Sequence, residues 1–394
     1  MTLTWPPTAD SLLPADAAKA TLVGRVRLPD GPAVVVLRGA RLVDITAAYP
    51  TMRALTEHAD PAAAAVAASG IDVGSFADVV ANAPPETRDA AAPWLLSPID
   101  LHVVKAAGVT FPVSMLERVI EERARGDKSL ATQIRAEIDA AIGGSLSALR
   151  PGSAEAAALK DLLIDRGWWS QYLEVGIGPD AELFTKAPVL STVGAAVDVG
   201  VASASEWSNP EPEVVLCVSS RGRIVGATLG NDVNLRDIEG RSALLLGKAK
   251  DNNASASVGP LIRLFDGGFG LDDIRGAVVG LEVEGADGFT MRAESAMARI
   301  SRDPADLVAQ AIGRHHQYPD GFVLYLGTMF APVDDRGAVG RGFTHHPDDV
   351  VTISTPSLGA LVNRVRASED VEPWDFGIAD LYRSLARRGL LEAQ

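Results

Sequence analysis

The sequence predicts an α+β fold in which a large strand-rich domain follows a smaller N-terminal α/β domain. From Phe184 onward, short apolar runs bounded by turn residues recur at strand spacing, with helical patterns only near Pro304–His316 and Ile378–Leu391. Ahead of them, residues 114–166 carry helical periodicity with breakers between the segments. The stretch Pro93-Trp94-Leu95-Leu96-Ser97-Pro98 sets this body apart from an Ala-rich beginning. Helices and strands segregated in this way indicate an α+β or mostly-β architecture, not alternating βαβ units.

Taken in order, residues 21–46 alternate Leu22, Val26 and Leu28 with Arg25 and Arg27. They then turn at Pro29-Asp30-Gly31 into Val34-Val35-Val36-Leu37, a small β-rich unit. Residues 50–95 have helical spacing (Met52, Leu55, Val66) and are expected to pack on it, so that 1–98 forms one domain and 99–394 the other. Val103-Val104 reads as a short strand, and Gly108-Val109-Thr110-Phe111 leads into a charged helix from about Ser114 to Arg125. A second helix is expected near Leu130–Ala141. A third is expected near Ser153–Arg166, between Pro151-Gly152 and a C-terminal Gly167. The expected strands are Val189-Leu190, Val197–Val201, a hairpin around residue 221, Ala277–Val283, Val323–Leu326, Val350–Ser354 and Ala360-Leu361-Val362. Gly267-Gly268-Phe269-Gly270 reads as a turn, not a phosphate cradle.

Composition narrows the function. With 394 residues the chain has ample length for a buried core, and a net charge of -15 argues against nucleic acid or an anionic membrane as partner. Cys217 is the only cysteine, so neither an intrachain disulfide nor a Cys-based zinc site is possible. The N-terminus lacks a signal-peptide pattern and no apolar run is long enough to span a bilayer, so the cytoplasm is the expected compartment. P-loop, H-E-x-x-H and G-x-S-x-G motifs are absent. The pairs His315-His316 and His345-His346 are expected on the surface or in packing roles, since helix neighbours face apart.

The chemistry gathers at Glu211-Pro-Glu213 and Asp232. Residues two apart on a strand share a face, so Glu211 and Glu213 point the same way. If Arg221-Gly222 is a two-residue loop, counting outward places Glu211 opposite Asp232; a bulge would move that register by one. Three carboxylates on one sheet face repel unless a hard cation joins them, and Mg2+ suits oxygen ligands of this kind. A solvated acidic face is the alternative reading. Lys250 follows, as a group for proton transfer if its pKa falls beside a cation, although Lys248 satisfies the same pattern. Glu182 is a second acid or base, with Lys186 as a salt-bridge partner. Thr328 ends an apolar strand with a hydroxyl and an N–H exposed. Arg236 and Asp237 are expected to pair and brace the loop behind Asp232.

These segments together resemble the fumarylacetoacetate hydrolase superfamily. The motifs are Glu211-x-Glu213, Asn231-Asp232-Val233-x-x-Arg236-Asp237, Lys250 ahead of Gly259-Pro260, Leu326-Gly327-Thr328, and a closing Asp349-Val-Val-Thr-Ile-x-x-Pro356-x-x-Gly359-x-Leu361-x-Asn363. Glu182-Leu-Phe184-Thr-Lys186-Ala-Pro and the run from Asn231 to Gly240 are similar to the branch that dehydrates 2-keto-3-deoxy sugar acids. Val109–Glu122 and Trp169–Glu182 resemble its 2-keto-3-deoxy-D-xylonate dehydratases.

The resemblance implies a mixed β-roll catalytic domain and a homo-oligomer. It implies Mg2+ (with Mn2+ as the other option) held by Glu211, Glu213 and Asp232, and proton transfer by Lys250 and Glu182 in either order. Thr328, Arg236, Glu117 and Arg118 are the expected substrate-binding residues, with the 114–125 helix closing over a small 2-keto acid. The expected reaction is dehydration of a 2-keto-3-deoxy-pentonate, the D-xylonate-derived one first, to 2-oxoglutarate semialdehyde. Many C–C hydrolases of the superfamily place a water-activating histidine in this helix, and none lies between Gly108 and Lys128. The alternatives are a C–C hydrolase of acylpyruvate or diketo sugar acids using Glu117 or Glu122 as base, and a metal-binding scaffold without turnover.

Overall fold

β-Branched residues crowd the strands, which among the described residues of the computed structural model pair into two large open sheets and a two-stranded ladder, Ser208–Asn209 with Asn234–Leu235. The structure describes residues 4–391 except 126, 128, 129, 132, 133, 135–148, 166, 168, 331, 333 and 338–341. The larger, 11-stranded sheet runs from Ile71–Ser75 through Arg41–Asp44, Gly31–Arg38, Leu22–Leu28 and Ala256–Leu264 to the hairpin Ile224–Asp232 and Pro212–Val218. It continues with Phe322–Tyr325, Val103–Gly108 and Glu182–Ala187, while Trp94–Leu96 pairs beside Leu22–Leu28. A 5-stranded sheet orders Thr290–Ala296, Val278–Glu284, Val350–Thr355, Gly359–Ala367 and Val197–Val201.

The central strands are covered on both faces, which is why Pro212–Val218 and Ala256–Leu264 are buried without alternation. Val214, Leu216 and Val218 pack toward the second sheet with Leu281, Ile353 and Leu361. Val215 and Cys217 face the other way and share a cluster with Met52, Leu55 and Tyr325. Each such side chain contributes about 1.5–3 kcal/mol by leaving water, so the hairpin is held rigidly from two sides. Strands on either side of the proposed division at 98/99 are joined directly, by the pairs Leu22–Arg263 and Val23–Ile262.

Most expected elements lie close to where their patterns put them. The charged helix spans Pro112–Ala124, opened by a proline in its first turn and ended by Arg125 in the left-handed conformation. Ala154–Asp165 is the third expected helix, while the one near Leu130–Ala141 falls largely outside the described residues. Val189-Leu190 is a turn and not a strand, with Leu190 at φ 66°. The helix from Pro304 stops at Ala311. Strand Ala256–Leu264 lies outside the expected set because Gly259-Pro260 interrupts its pattern. The sheet accommodates the proline with a register shift between Ala227 and Leu229. Among the described residues, no helix is long and apolar enough to cross a membrane.

Candidate metal centre and active site

The hairpin register sets the acids in place. Pro212 pairs with Asn231 and Glu213 with Gly230, so Glu211 lies opposite Asp232, whose N–H donates to the Glu211 carbonyl at 3.0 Å. The expected two-residue loop is wrong in detail. Ser219 bonds Arg223 across a three-residue turn, and the extra residue is absorbed between Cys217 and Val218, leaving the body of the hairpin in the counted register. Glu211, Glu213 and Asp232 are all buried, and one carboxylate oxygen from each lies within 4.8 Å of the others. Their first neighbours are equally buried.

Glu213 accepts the Gly327 N–H at 2.6 Å, at the end of strand Phe322–Tyr325. Lys250, on the short helix Leu246–Lys250, donates to Glu211 and to Asp232 at 3.0 Å. Lys248 is exposed, so tertiary placement separates the two lysines. Lys186 is fully buried and lies 2.8 Å from the second oxygen of Asp232, also donating to the carbonyls of Lys250 and Val233.

A second network joins the Pro112–Ala124 helix to this floor. Arg118 reaches Glu211, Glu121 at 2.5 Å and Glu239 at 2.7 Å. Arg236 donates to Glu121 at 2.6 Å and Glu117 at 2.9 Å, and stacks on Trp207 at 4.5 Å. The expected Arg236–Asp237 pair is not formed: Asp237 instead accepts from Ser205 at 2.6 Å and the Glu206 N–H at 3.0 Å. Successive helix positions face apart, and Arg236 alone points under the long helix.

A cavity of about 20 Å³ is enclosed by these groups, lined among others by Glu182, Arg118, Ser114, Phe184, Glu239 and Thr328 with the three acids and Lys250. Gly108, the strand partner of Glu182, lets that side chain lie against the backbone; a Cβ there would stand 2.0 Å from its Oε2. Lys250, Glu182, Thr328 and Arg118 therefore line the cavity with the triad. Glu117 and Arg236 do not; they tie helix to floor behind it. Glu122 points to Gln171 at 2.9 Å, so neither candidate base of the hydrolase alternative lines the cavity. Glu239 was not foreseen as a site residue. Its signal was available, since it follows Arg236 by three residues, the distance at which helix neighbours share a face.

Burial and charge oppose one another here. Burial, then Asp232 and Glu211, push the Glu213 carboxyl well above its ordinary range. Burial also raises Glu182, and lifts Glu239 to about 7 against the pull of Arg118. Burial works against the Asp232 carboxylate too, but Lys186 and Lys250 outweigh it and hold Asp232 low. Lys250 is disfavoured as a cation by burial, yet Asp232, Glu211 and Glu239 raise its pKa above that of an ordinary lysine. Without a cation on the triad, these carboxylates hold Lys250 as an ammonium. Seven carboxyls (Glu117, Glu121, Glu182, Glu211, Glu213, Asp232, Glu239) share this site with four bases (Arg118, Arg236, Lys186, Lys250). Glu213, Glu182 and Glu239 relieve the crowding by holding protons more tightly than usual, and a hard divalent cation among the three converging carboxylates would take the place of that relief.

Comparison with known proteins agrees with this geometry. The chain is 29% identical over 188 residues to a 2-dehydro-3-deoxy-D-arabinonate dehydratase from Saccharolobus solfataricus, covering 47% of this chain and 58% of the relative. It is 30% identical over 194 residues to a probable 2-keto-3-deoxyxylonate dehydratase from Haloferax volcanii, covering 49% and 63%. The matched region thus spans about three-fifths of each curated relative's length. No protein-family model matches. Among solved structures, a 2-keto-3-deoxy-D-arabinonate dehydratase in its apo form aligns with TM-score 0.61 at 19% identity, over 88% of this chain and 99% of that one. The same-named enzyme complexed with magnesium and 2,5-dioxopentanoate aligns at TM-score 0.59, 19% identity and the same coverage. A fumarylacetoacetate hydrolase from Exiguobacterium antarcticum aligns at 0.53 and 14% identity, over 88% and 100%. The chain has the fold of these enzymes, as the motifs led one to expect.

Proposed function

We propose that this protein is a divalent-cation-dependent dehydratase of a 2-keto-3-deoxy-pentonate, yielding 2-oxoglutarate semialdehyde. The observation that carries the reading is the buried triad Glu211, Glu213 and Asp232, with Lys250 bonded to two of its members and Glu182 lining the same cavity. The names of the sequence relatives support the substrate class, and the magnesium complex of a structural neighbour supports Mg2+ as the cation, with Mn2+ the other option. The two pentonate names describe one compound. C2 is a ketone and C3 a methylene, so only C4 is stereogenic, and D-xylonate and D-arabinonate share its configuration.

Held by the triad, the cation would act as a Lewis acid on the 2-keto group and make the C3 protons acidic. Glu182, made more basic by burial, takes a C3 proton. Lys250, which donates to Glu211 and Asp232 beside the cavity, protonates the C4 hydroxyl as it leaves. Moving a proton from C5 to C3 then gives an enol that settles as the aldehyde. Arg118 and Thr328 are assigned to the substrate's carboxylate and hydroxyls, while Glu117 and Arg236 act by positioning the long helix. A cavity of about 20 Å³ is too small for a five-carbon acid, so we assign that helix the opening movement that admits substrate. A homo-oligomer in the cytoplasm is part of the same reading.

The deciding experiment incubates the protein with Mg2+ and, separately, the D and L forms of 2-keto-3-deoxy-pentonate. Semialdehyde is followed by coupled oxidation to the diacid. Turnover of the D form supports the proposal; pyruvate release would mean C–C cleavage and overturn it.

A further inference from the structure

A cavity of about 390 Å³ opens beside strand Leu22–Leu28, lined by Arg25, Arg27 and Arg88 together with Glu372 and Asp375. Arg25 and Arg27 are two apart on one strand and so project from the same face. Arg25 is only 5% exposed. Its Nη1 donates to the carbonyls of Ser97 and Ile99 at 3.3 and 2.6 Å, and its Nε lies 3.8 Å from Asp100. Its Nη2 has no hydrogen bond among the described residues. Arg88 is engaged by Glu372 at 2.9 Å and by the Ala83 carbonyl. Arg27 lies over the Phe376 ring at 5.1 Å and has no carboxylate partner among the described residues. Thr192 donates its hydroxyl to Ser97 Oγ at 2.7 Å, which frees the Ser97 O–H to donate in turn.

Burial disfavours the charged form of Arg25, Asp100 opposes this, and Arg27, two residues along the same strand face, adds a smaller repulsion. An oxyanion between them converts that repulsion into two charge-assisted hydrogen bonds, for which the planar guanidinium fork is suited. The volume falls in the range of small-molecule sites, and the cavity has donors to spare. We propose that this cavity is a binding site for a small metabolite oxyanion, a carboxylate or a phosphate, held by Arg25, Arg27 and the Ser97–Thr192 hydroxyl pair and separate from the catalytic cavity.

The test uses the full chain, stripped of metal and dialysed free of chelator, at constant ionic strength, titrated by calorimetry with inorganic phosphate and, separately, with succinate. Saturable binding of at least one probe is expected. It should weaken at least about tenfold in Arg27→Met, the scale of one lost hydrogen bond to a charged group, and persist in Asp232→Asn. Thr192→Val, close to isosteric, should weaken it as well and serves if Arg27→Met does not fold. Binding of phosphate alone would identify a phosphorylated ligand, and of succinate alone a carboxylate. Heats no larger than those of sodium chloride, binding indifferent to Arg27→Met and Thr192→Val, or binding abolished by Asp232→Asn would overturn the proposal.

Discussion

Replacing Lys186 with Met tests whether the triad is held by buried charge or merely surrounded by it. The methionine has similar length and leaves little cavity, so packing loss is small. What goes is an ammonium 2.8 Å from Asp232, bonded also to the carbonyls of Val233 (3.2 Å) and Lys250, with no exposed surface. Those acceptors cannot turn to water. Lys250 alone would then offset the Asp232 carboxylate, and Lys250 is already shared with Glu211. Breaking one partner out of a buried ion pair costs about 3–5 kcal/mol, and each stranded acceptor adds to the upper part of that range. Urea unfolding of Lys186→Met in EDTA should therefore lose about 3–5 kcal/mol against the parent chain. Added Mg2+ should restore more stability to the variant than to the parent, because a cation on Asp232 takes over part of the missing compensation. A loss under about 1 kcal/mol in EDTA, or no difference in Mg2+ response, would show that Lys186 does not hold the acid in place.

Further outcomes follow from the same geometry. In deuterated buffer with Mg2+, Lys250→Met should still exchange the substrate's C3 protons while losing dehydration by about 10²–10⁴-fold. Glu182→Gln should lose both, and the reverse pattern would exchange the two roles. Glu213→Gln and Asp232→Asn should each abolish the Mg2+ binding heat seen calorimetrically with the parent chain, whereas Glu122→Gln should leave it unchanged. The proton that Glu239 holds up to about pH 7 gives a signed pH effect. Because its folded pKa lies above the unfolded value, folding binds a proton. Metal-free stability should then fall as pH rises from the ordinary carboxylate range through 7, and Glu239→Gln should flatten that slope in chemical denaturation. Arg236→Met, which removes one of the two arginine ties between the long helix and the floor, should raise KM and speed proteolysis near Pro112–Ala124 while leaving Mg2+ affinity within about threefold.

Local rules sufficed for the acids. Strand periodicity of two put Glu211 and Glu213 on one face, and a count across the hairpin put Asp232 opposite Glu211. The register survived an error in the turn because the extra residue was absorbed at the tip, beyond the tightly packed body. The cations were another matter. Lys250 and Lys248 satisfy one sequence pattern, and only the docking of their short helix makes one buried and the other exposed. Arg236 was expected to pair with its neighbour Asp237; its partners Glu117 and Glu121 come from a helix more than a hundred residues earlier. Glu239 and Lys186 owe their roles to the same convergence. Strand and hairpin geometry is short-ranged, dictated by backbone sterics and hydrogen-bond spacing, so the amino-acid order alone determined where the carboxylates stand. Which charges compensate them depends on burial and on Coulomb attraction between segments far apart in the chain, and only the tertiary structure decided that.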